Sequence, residues 1–401
     1  MRDREIVVVG AGFAGVWAAA GAVRTAAELG REEDVTVTVV APGEDMVIRP
    51  RHYEDDPSRM RVALDRVLGP IGVRRVRAEI TGVDVDAHRV TGRDHDGNPV
   101  ELAYDKLVLA TGSTLVSPQL PGAEHLFDVD TIEAADALHQ HIAQLSQDPQ
   151  RPGAFTAVVV GGGFTGLEVV TELPSRLRAV AGEHPVRVVM LDRADVVGRA
   201  LGDGPRPEIE AALEAEGVEV RLDTGMESLT EDSARLTDGT VIEAATVIWT
   251  AGMRAQVLTE QIPGERDDLG RLVVDEQLHV TGVPDVFAAG DTASAHADPE
   301  HLVMQACQHA VPLGKHVGRN VAADAPGGQL VDFVPEDCLT CLSLCPEAGV
   351  LTAGWDREVQ LRGAEGKQQK RQINEDWIYP PVDDRQAILE PADHRKTWPI
   401  D

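Results

Sequence analysis

Two glycine-rich segments of the same kind limit what this chain can fold into. One reads Gly10-Ala11-Gly12-Phe13-Ala14-Gly15, and the other reads Gly161-Gly162-Gly163-Phe164-Thr165-Gly166. Each follows a short apolar run typical of a buried strand and precedes a segment of helical character. A strand that turns sharply into a helix directs free backbone N–H groups and the positive end of the helix dipole at a pyrophosphate. The pair therefore predicts two bound dinucleotides and electron transfer between them.

Composition and charge exclude several classes of function. The chain has 401 residues, 43% of them hydrophobic, which is enough for large cores in more than one domain. Its 67 acidic and 37 basic residues give a formal net charge of −30, which argues against a nucleic-acid partner. No run approaches the roughly 18 apolar residues of a membrane span, and the first strand begins close to Met1 without a signal sequence. We expect a cytoplasmic protein.

The order of the predicted elements indicates an α/β fold with two Rossmann-like dinucleotide-binding domains and a smaller C-terminal α+β module. Residues 5–41 read as strand, glycine turn, helix and strand, whereas residues 73–104 alternate like antiparallel strands. Helices are predicted over residues 131–146 and about 301–323. The predicted division of the chain is residues 1–117 and 255–325 for the first domain, 118–254 for the second, and 326–401 for the module.

The residue after the second strand of each unit bears on the choice of dinucleotide. An acidic residue at this position normally receives the ribose hydroxyls. In the second unit Asp192 stands there and favours NADH, although the neighbouring Arg193 could accept a 2′-phosphate, which leaves NADPH open. In the first unit the strand ends at Val40-Ala41 without an acid.

Further motifs reveal a family resemblance. They are Ala110-Thr111-Gly112, Trp249-Thr250-Ala251-Gly252 and Val286-Phe287-Ala288-Ala289-Gly290-Asp291. With the glycine segments they make the chain resemble, over roughly residues 1–325, the two-dinucleotide flavoprotein (pyridine nucleotide-disulfide oxidoreductase) superfamily, and within it type II NADH dehydrogenase and its soluble relatives. The resemblance implies FAD in the first unit and NAD(P)H in the second. It also implies that Asp291 binds the ribityl or phosphate part of the flavin, and that residues 110–112 line the same cofactor.

Three further residues are candidates for the site. Glu168 lies two residues after the last fingerprint glycine, on the first turn of the predicted helix, where the helix dipole stabilises a carboxylate. In similar enzymes a glutamate here lies near the nicotinamide, and both roles stay open. Gln308 lies in a segment resembling the one that faces the acceptor in this family, although an ordinary polar helix position is the alternative. Arg49 is a candidate for the FAD pyrophosphate or adenosine, with a surface salt bridge as the alternative.

The cysteines all lie in the last quarter of the chain. They are Cys307, Cys338, Cys341 and Cys345. The first 306 residues hold no cysteine pair, which excludes the dithiol relay of disulfide reductases. The last three match the latter part of a ferredoxin motif, but Pro335 occupies the place of a further ligand. We therefore expect buried thiols and no metal.

These observations favour an FAD-dependent NAD(P)H oxidoreductase that passes hydride from NADH to FAD and on to a quinone or quinone-like small molecule. Two alternatives stay open, a ferredoxin reductase-like enzyme for a small redox protein and a flavin-binding regulatory protein with little turnover. Membrane-associated relatives carry a basic amphipathic helix near the C-terminus, whereas residues 376–384 here are acidic and contain two prolines. We expect no membrane docking, and a homodimer is possible.

Overall fold

The computed structural model describes residues 4–325, 328–335 and 337–396. Residues 1–3, which precede the first predicted strand and bear on the expected absence of a signal sequence, lie outside the described residues. Pro326 and Gly327 of the expected linker also lie outside them. Within the described ranges, no helix combines the length and the apolar character needed to cross a bilayer.

Apolar runs separated by glycine turns give residues 4–115 their alternating strands and helices. The central strands are buried along most of their length, as expected of parallel strands covered on both faces. The elements are β1 (Arg4–Val9), α1 (Phe13–Glu28), β2 (Val35–Ala41), β3 (Asp45–Val47), β4 (Arg61–Ala63), α2 (Leu64–Leu68), β5 (Arg74–Asp84), β6 (Arg89–Asp94), β7 (Pro99–Ala103), β8 (Lys106–Leu109) and β9 (Ser113–Leu115).

The middle of the chain repeats this pattern. The second glycine segment again joins a buried strand to a long helix, because its glycines permit the sharp turn. The elements are α3 (Ile132–Gln144), β10 (Thr156–Val160), α4 (Phe164–Ala181), β11 (Arg187–Leu191), α5 (Arg206–Glu216), β12 (Val218–Arg221), β13 (Met226–Thr230), β14 (Ser233–Leu236), β15 (Val241–Glu243), β16 (Thr246–Trp249) and β17 (Met253–Ala255).

The last part of the chain adds one strand to the sheet that contains β1 and β8, and then forms a separate three-stranded sheet. Its elements are β18 (Leu272–Val273), β19 (Val286–Ala288), β20 (Ala293–Ser294), α6 (Cys307–Ala323), β21 (Leu339–Ser343), β22 (Gly349–Ala353), β23 (Glu358–Arg362), α7 (Gly363–Gln372) and α8 (Arg385–Leu389). Strands β21, β22 and β23 form an antiparallel sheet, against which α7 packs. This part is the predicted α+β module.

The two glycine segments occupy equivalent places in two sheets. The first sheet has the order β19-β8-β1-β2-β5-β6-β7, with β1 parallel to both β2 and β8. The second has the order β12-β11-β10-β16, with β10 parallel to both β11 and β16. Each glycine turn thus leaves the carboxyl end of a central parallel strand, where ligands bind in open α/β sheets. The expected Rossmann-like pair is confirmed, whereas the boundaries at residues 117, 254 and 325 stay predictions.

Helix α6 differs from the sequence-based prediction. It begins at Cys307 and not near residue 301. Leu302 forms a β-bridge with His296, and the Val303 carbonyl accepts a hydrogen bond of 2.7 Å from buried Arg271, so this stretch is held extended. Helix α6 packs closely on α1 because Gly314 and Gly318 leave no room there for a Cβ. The contact brings the start of α6 beside the first glycine segment.

Candidate functional site

The first glycine segment forms an open cradle at the start of α1. Gly10 has a φ of +108°, and a Cβ there would collide with the Ala110 carbonyl. A Cβ on Gly15 would likewise collide with the Gly10 carbonyl, so packing alone explains these two glycines. Gly12 is different, because its φ of −77° suits any residue and no atom lies within 4 Å of a Cβ built on it. Space is therefore kept free in front of the helix N-terminus.

The second cradle repeats these features at the start of α4. Gly161 has a φ of +115°, and Gly166 has no room for a Cβ against the Gly161 carbonyl. Gly163 has a φ of −80° and again faces open space, with nothing within 4 Å of an added Cβ. Neither Gly12 nor Gly163 is thus required by the protein itself. A ligand that approaches the backbone, as a pyrophosphate does, explains both glycines, so the two cradles fit FAD and NADH.

The remaining fingerprint residues surround these cradles. Phe13 and Phe164 are the first residues of α1 and α4, and Thr165 is exposed on α4. Ala14 packs so closely against Gly290, which has a φ of +68°, that a Cβ on Gly290 would lie 2.8 Å from the Ala14 Cβ. The turn that follows β19 thus contacts the first cradle.

Asp192 lies at the end of β11 with both carboxylate oxygens fixed. Its Oδ2 accepts the N–H of Gly162 at 2.9 Å, and its Oδ1 accepts the N–H of Ala194 at 3.0 Å. The carboxylate therefore stands at the edge of the second cradle, where a ribose would reach it. The side chain of Arg193 is exposed beside it.

Asp291 lies in the short 3-10 turn that follows β19, in a polar group with Ser113 and Arg49. The Ser113 hydroxyl donates to Asp291 Oδ2 at 2.6 Å, and Arg49 Nη1 lies 3.9 Å from the same oxygen. Burial raises the pKa of Asp291, while the hydrogen bond from Ser113 and the charge of Arg49 oppose the rise. Arg49 also pairs with Asp130, and its side chain is 32% exposed, so it links three segments at the domain junction and is not a simple surface residue.

The two short motifs of small residues meet where the chain crosses between the domains. Gly112 has a φ of +72°, and its N–H donates to the Thr292 hydroxyl at 3.0 Å. The Gly252 carbonyl accepts the N–H of Val116, and β9 pairs with β17 in an antiparallel ribbon. Residues 110–112 therefore lie beside the first cradle. Ala251 lies beside the second cradle, because a Cβ added to Gly161 would come within 3.2 Å of the Ala251 Cβ.

Glu168 is not on the first turn of α4, as the sequence suggested, but is the fifth residue of the helix. It is 6% exposed, and its Oε1 lies 2.9 Å from Lys370 Nζ and accepts the N–H of Ser343 at 3.0 Å. An ion pair with α7, and not the helix dipole, therefore compensates its charge.

Lys370, Glu168 and Tyr53 form a buried cluster where the C-terminal module meets both domains. Lys370 Nζ lies 5.8 Å from the centre of the Tyr53 ring. Burial lowers the pKa of Lys370, but Glu168 and Tyr53 outweigh this and raise it overall. Burial raises the pKa of Glu168, and Lys370 and the Ser343 N–H only partly oppose it. Lys370 thus carries the first proton of the pair, and Glu168 takes up a second one above the usual range of glutamate.

A second ion pair lies behind this cluster. Lys367 Nζ donates to Glu172 Oε1 at 3.1 Å and to the Ser343 hydroxyl at 2.6 Å. Ser343 therefore contacts both pairs, through its N–H towards Glu168 and through its hydroxyl towards Glu172. The residues of α7 that complete the site were not predicted. The sequence shows only two lysines three residues apart in a helical segment, and that spacing does not indicate which acidic residues they pair with.

The start of α6 also reaches this region. Cys307 is its first residue and Gln308 its second, with the Gln308 amide donating to the Asp337 carbonyl at 3.0 Å. Burial raises the pKa of the Cys307 thiol to about 11, and Lys370 partly opposes the rise. The buried Nε2 atoms of Gln305 and His309 have no hydrogen-bond partner among the described residues, whereas His309 Nδ1 accepts the N–H of Met304.

The cysteines form no metal centre in the described ranges. All four thiols are free; Cys338 and Cys345 are buried, whereas Cys307 and Cys341 are only partly buried. In residues 4–325, 328–335 and 337–396, no group of three or more His, Cys, Asp or Glu side chains is arranged to hold a metal ion. Cys341 lies within β21, and burial raises the pKa of its thiol to about 11.

Comparisons with known proteins place this arrangement among flavoenzymes. The sequence profile of the pyridine nucleotide-disulphide oxidoreductases matches residues 4–314. An NADH dehydrogenase-like protein of Mycobacterium tuberculosis is 45% identical over 393 residues, which cover 96% of both chains. A type II NADH:quinone oxidoreductase of Staphylococcus haemolyticus is 27% identical over 86% of this chain and 89% of its own. The structure of NDH2 from Plasmodium falciparum in complex with NADH matches with a TM-score of 0.77 at 12% identity, over 98% of this chain and 97% of that one, which shows a shared fold.

Proposed function

The chain belongs to the pyridine nucleotide-disulphide oxidoreductase family, and on that premise we propose that it passes electrons from NADH through FAD to a quinone-like small molecule. It is an FAD-dependent NADH oxidoreductase. One observation carries the proposal: two helix N-termini each keep open space in front of a glycine that the fold does not require, Gly12 and Gly163. Two pyrophosphate cradles in one chain support hydride transfer between two dinucleotides.

The residues of the chain supply binding, orientation and proton control. FAD held in the first cradle would supply the chemistry of hydride acceptance from a nicotinamide and of electron delivery to an acceptor. The N–H groups of α1 and α4 bind the two pyrophosphates, and Asp192 receives a ribose hydroxyl. Burial raises the pKa of the Glu168 carboxyl, which therefore takes up a proton more readily than an exposed glutamate does, beside the ammonium of Lys370. Reduction of a quinone consumes protons, so this pair suits an acceptor of that chemistry.

Three observations support a quinone-like acceptor over the alternatives. The first 306 residues hold no cysteine, so the usual dithiol relay of disulfide reductases is absent. The formal net charge of −30 slows encounter with an acidic redox protein such as a ferredoxin. A demethylphylloquinone reductase of Synechocystis is 28% identical over 71% of this chain, and staphylococcal relatives are named as quinone oxidoreductases.

Steady-state NADH oxidation with menadione, a soluble quinone, tests the proposal. We expect rapid turnover that requires both menadione and bound FAD. Turnover only with an oxidised redox protein as the acceptor would support the ferredoxin reductase-like alternative. Flavin reduction without turnover would support the regulatory alternative, and either result would overturn the quinone assignment.

The role of Glu168 is tested in the same assay. Glu168→Gln should lower kcat with menadione by at least about tenfold, because a positioned general acid contributes a factor of that order or more. The rate of flavin reduction by NADH in stopped flow should stay within about twofold. Glu219→Gln is the matched control, since Glu219 pairs with Arg187 at the surface, with a third of its side chain exposed. Equal effects of the two substitutions would refute a role for Glu168.

A further inference from the structure

Arg357 is a buried cation without a carboxylate partner among the described residues. It occupies the turn between β22 and β23 and is 6% exposed. In the ion pairs found across residues 4–325, 328–335 and 337–396, its guanidinium takes no part. A buried charge is costly unless an opposite charge compensates it. No carboxylate of the described residues therefore compensates the charge of Arg357.

The guanidinium lies where all three parts of the chain meet. Its Nη1 donates to the Thr340 hydroxyl, and its Nη2 lies 3.0 Å from Met304 Sδ. Its Cζ lies 5.8 Å from the centre of the Phe164 ring, a cation–π contact. Phe164 immediately follows Gly163, the glycine whose Cβ position is open. The charge thus stands beside the second cradle.

The backbone around Arg357 is held in one position. Arg357 has a φ of +57°, a conformation that costs energy for a residue with a side chain. On the facing loop, Gly204 leaves no room for a Cβ against the Arg357 carbonyl. The turn therefore packs directly on the segment between β11 and α5, which begins with Asp192. A strained residue that neighbouring segments hold in place is common at binding sites.

The positive charge of Arg357 affects the ionisation of the neighbouring His309. Burial, and next to it the positive charge of Arg357, lower the pKa of His309 to about 4. His309 is therefore neutral near pH 7, and of these two side chains Arg357 is the one that carries a positive charge. NADH carries two phosphate charges and approaches a chain whose formal net charge is −30. A local cation at the cleft offsets that repulsion.

We propose that Arg357 is a positioning residue for NADH, holding Phe164 at the mouth of the second cradle and supplying positive charge to the dinucleotide's pyrophosphate. The inference rests on the proposed function, because it takes NADH as the occupant of this cradle. It assigns the C-terminal module a part in binding the reductant.

Calorimetric titration with NAD⁺ at low and high salt tests the proposal without turnover. Arg357→Met keeps an apolar stem and removes the charge, and we expect Kd for NAD⁺ to rise about tenfold at low salt, the usual effect of losing a charge-assisted contact. Arg357→Lys keeps the charge and should recover part of this loss. Binding to the unsubstituted protein should weaken with salt more steeply than binding to Arg357→Met, because screening acts on the charge alone.

Arg362→Met is the matched control on the same hairpin. Arg362 pairs with Glu208 at 2.9 Å, its side chain is 67% exposed, and its replacement should leave Kd within about twofold. An unchanged Kd for Arg357→Met would overturn this inference and leave the proposed function standing. Equal losses in Arg357→Met and Arg357→Lys with an unchanged salt slope would also overturn it, since only packing would then matter. If Arg357→Met does not fold, Arg357→Lys and the salt slope decide. Failure of the unsubstituted protein to bind NAD⁺ would overturn the proposed function as well.

Discussion

Replacing Lys370 by methionine removes the positive half of the buried ion pair and leaves its packing volume nearly unchanged. Lys370 is 8% exposed and Glu168 6%, and Nζ lies 2.9 Å from Oε1. Breaking such a pair leaves an uncompensated charge and costs about 3–5 kcal/mol of the free energy of unfolding. Glu168 retains the N–H of Ser343, which holds the expected loss towards the lower end, about 3 kcal/mol.

The loss should depend on pH in a defined direction. Burial raises the pKa of Glu168, and Lys370 opposes that rise, so Lys370→Met raises the folded-state pKa further. A raised folded-state pKa gives a contribution that is fully present below the unfolded pKa and is lost as the pH rises through the folded pKa. The stability of Lys370→Met relative to the unsubstituted protein should therefore fall as the pH rises above the folded-state pKa that Glu168 has in the unsubstituted protein, which itself lies above the usual range of glutamate.

Urea unfolding followed by tryptophan fluorescence at several pH values measures the effect. The exposed pair of Arg187 and Glu219, at 2.7 Å, is the matched control, and Glu219→Gln should cost under about 1 kcal/mol. The double substitution of Glu168→Gln with Lys370→Met should cost less than the sum of the single changes, because neither charge is then left alone. A loss under about 1 kcal/mol for Lys370→Met, or one independent of pH, would refute the reasoning.

Three other substitutions have defined outcomes. Gly163→Ala should raise KM for NADH about tenfold or more in steady-state assays with flavin content unchanged, because its φ of −80° accepts alanine but the methyl enters the cradle. Asp192→Ala should lower the ratio of kcat/KM for NADH over NADPH about tenfold, and an unchanged ratio would remove Asp192 from cofactor selection. A hydrogen bond from Arg395 lowers the pKa of Asp393, so Asp393→Asn should cost about 1 kcal/mol at pH 7. That cost should shrink as the pH falls below about 4, and a melting curve equally displaced at pH 3 and pH 7 would contradict it.

The sequence was sufficient for features that depend on neighbouring residues. The strand, glycine turn and helix around Gly10 and Gly161 were predicted because apolar runs and glycine spacing are local signals. The antiparallel strands between residues 74 and 103 also followed from local alternation and turns. The positions of Asp192 directly after β11 and of Asp291 in the turn after β19 followed from the same local signals.

Features that depend on distant partners could not be read in this way. Glu168 looked like a helix-start acid because Lys370, its partner, lies in another module. Arg357 gave no signal, since its contacts with Met304 and Phe164 exist only after three parts of the chain pack together. The start of α6 was predicted too early, because the bonds that hold residues 301–304 extended come from Arg271 and from residues 295–296.

The most direct test of the two cradles is the visible absorbance spectrum of the purified protein, recorded without oxygen before and after addition of NADH. The two open cradles at Gly12 and Gly163 predict a yellow protein whose flavin band bleaches when NADH is added. A colourless protein that takes up no FAD, or a flavin band that excess NADH leaves unchanged, would contradict the central claim.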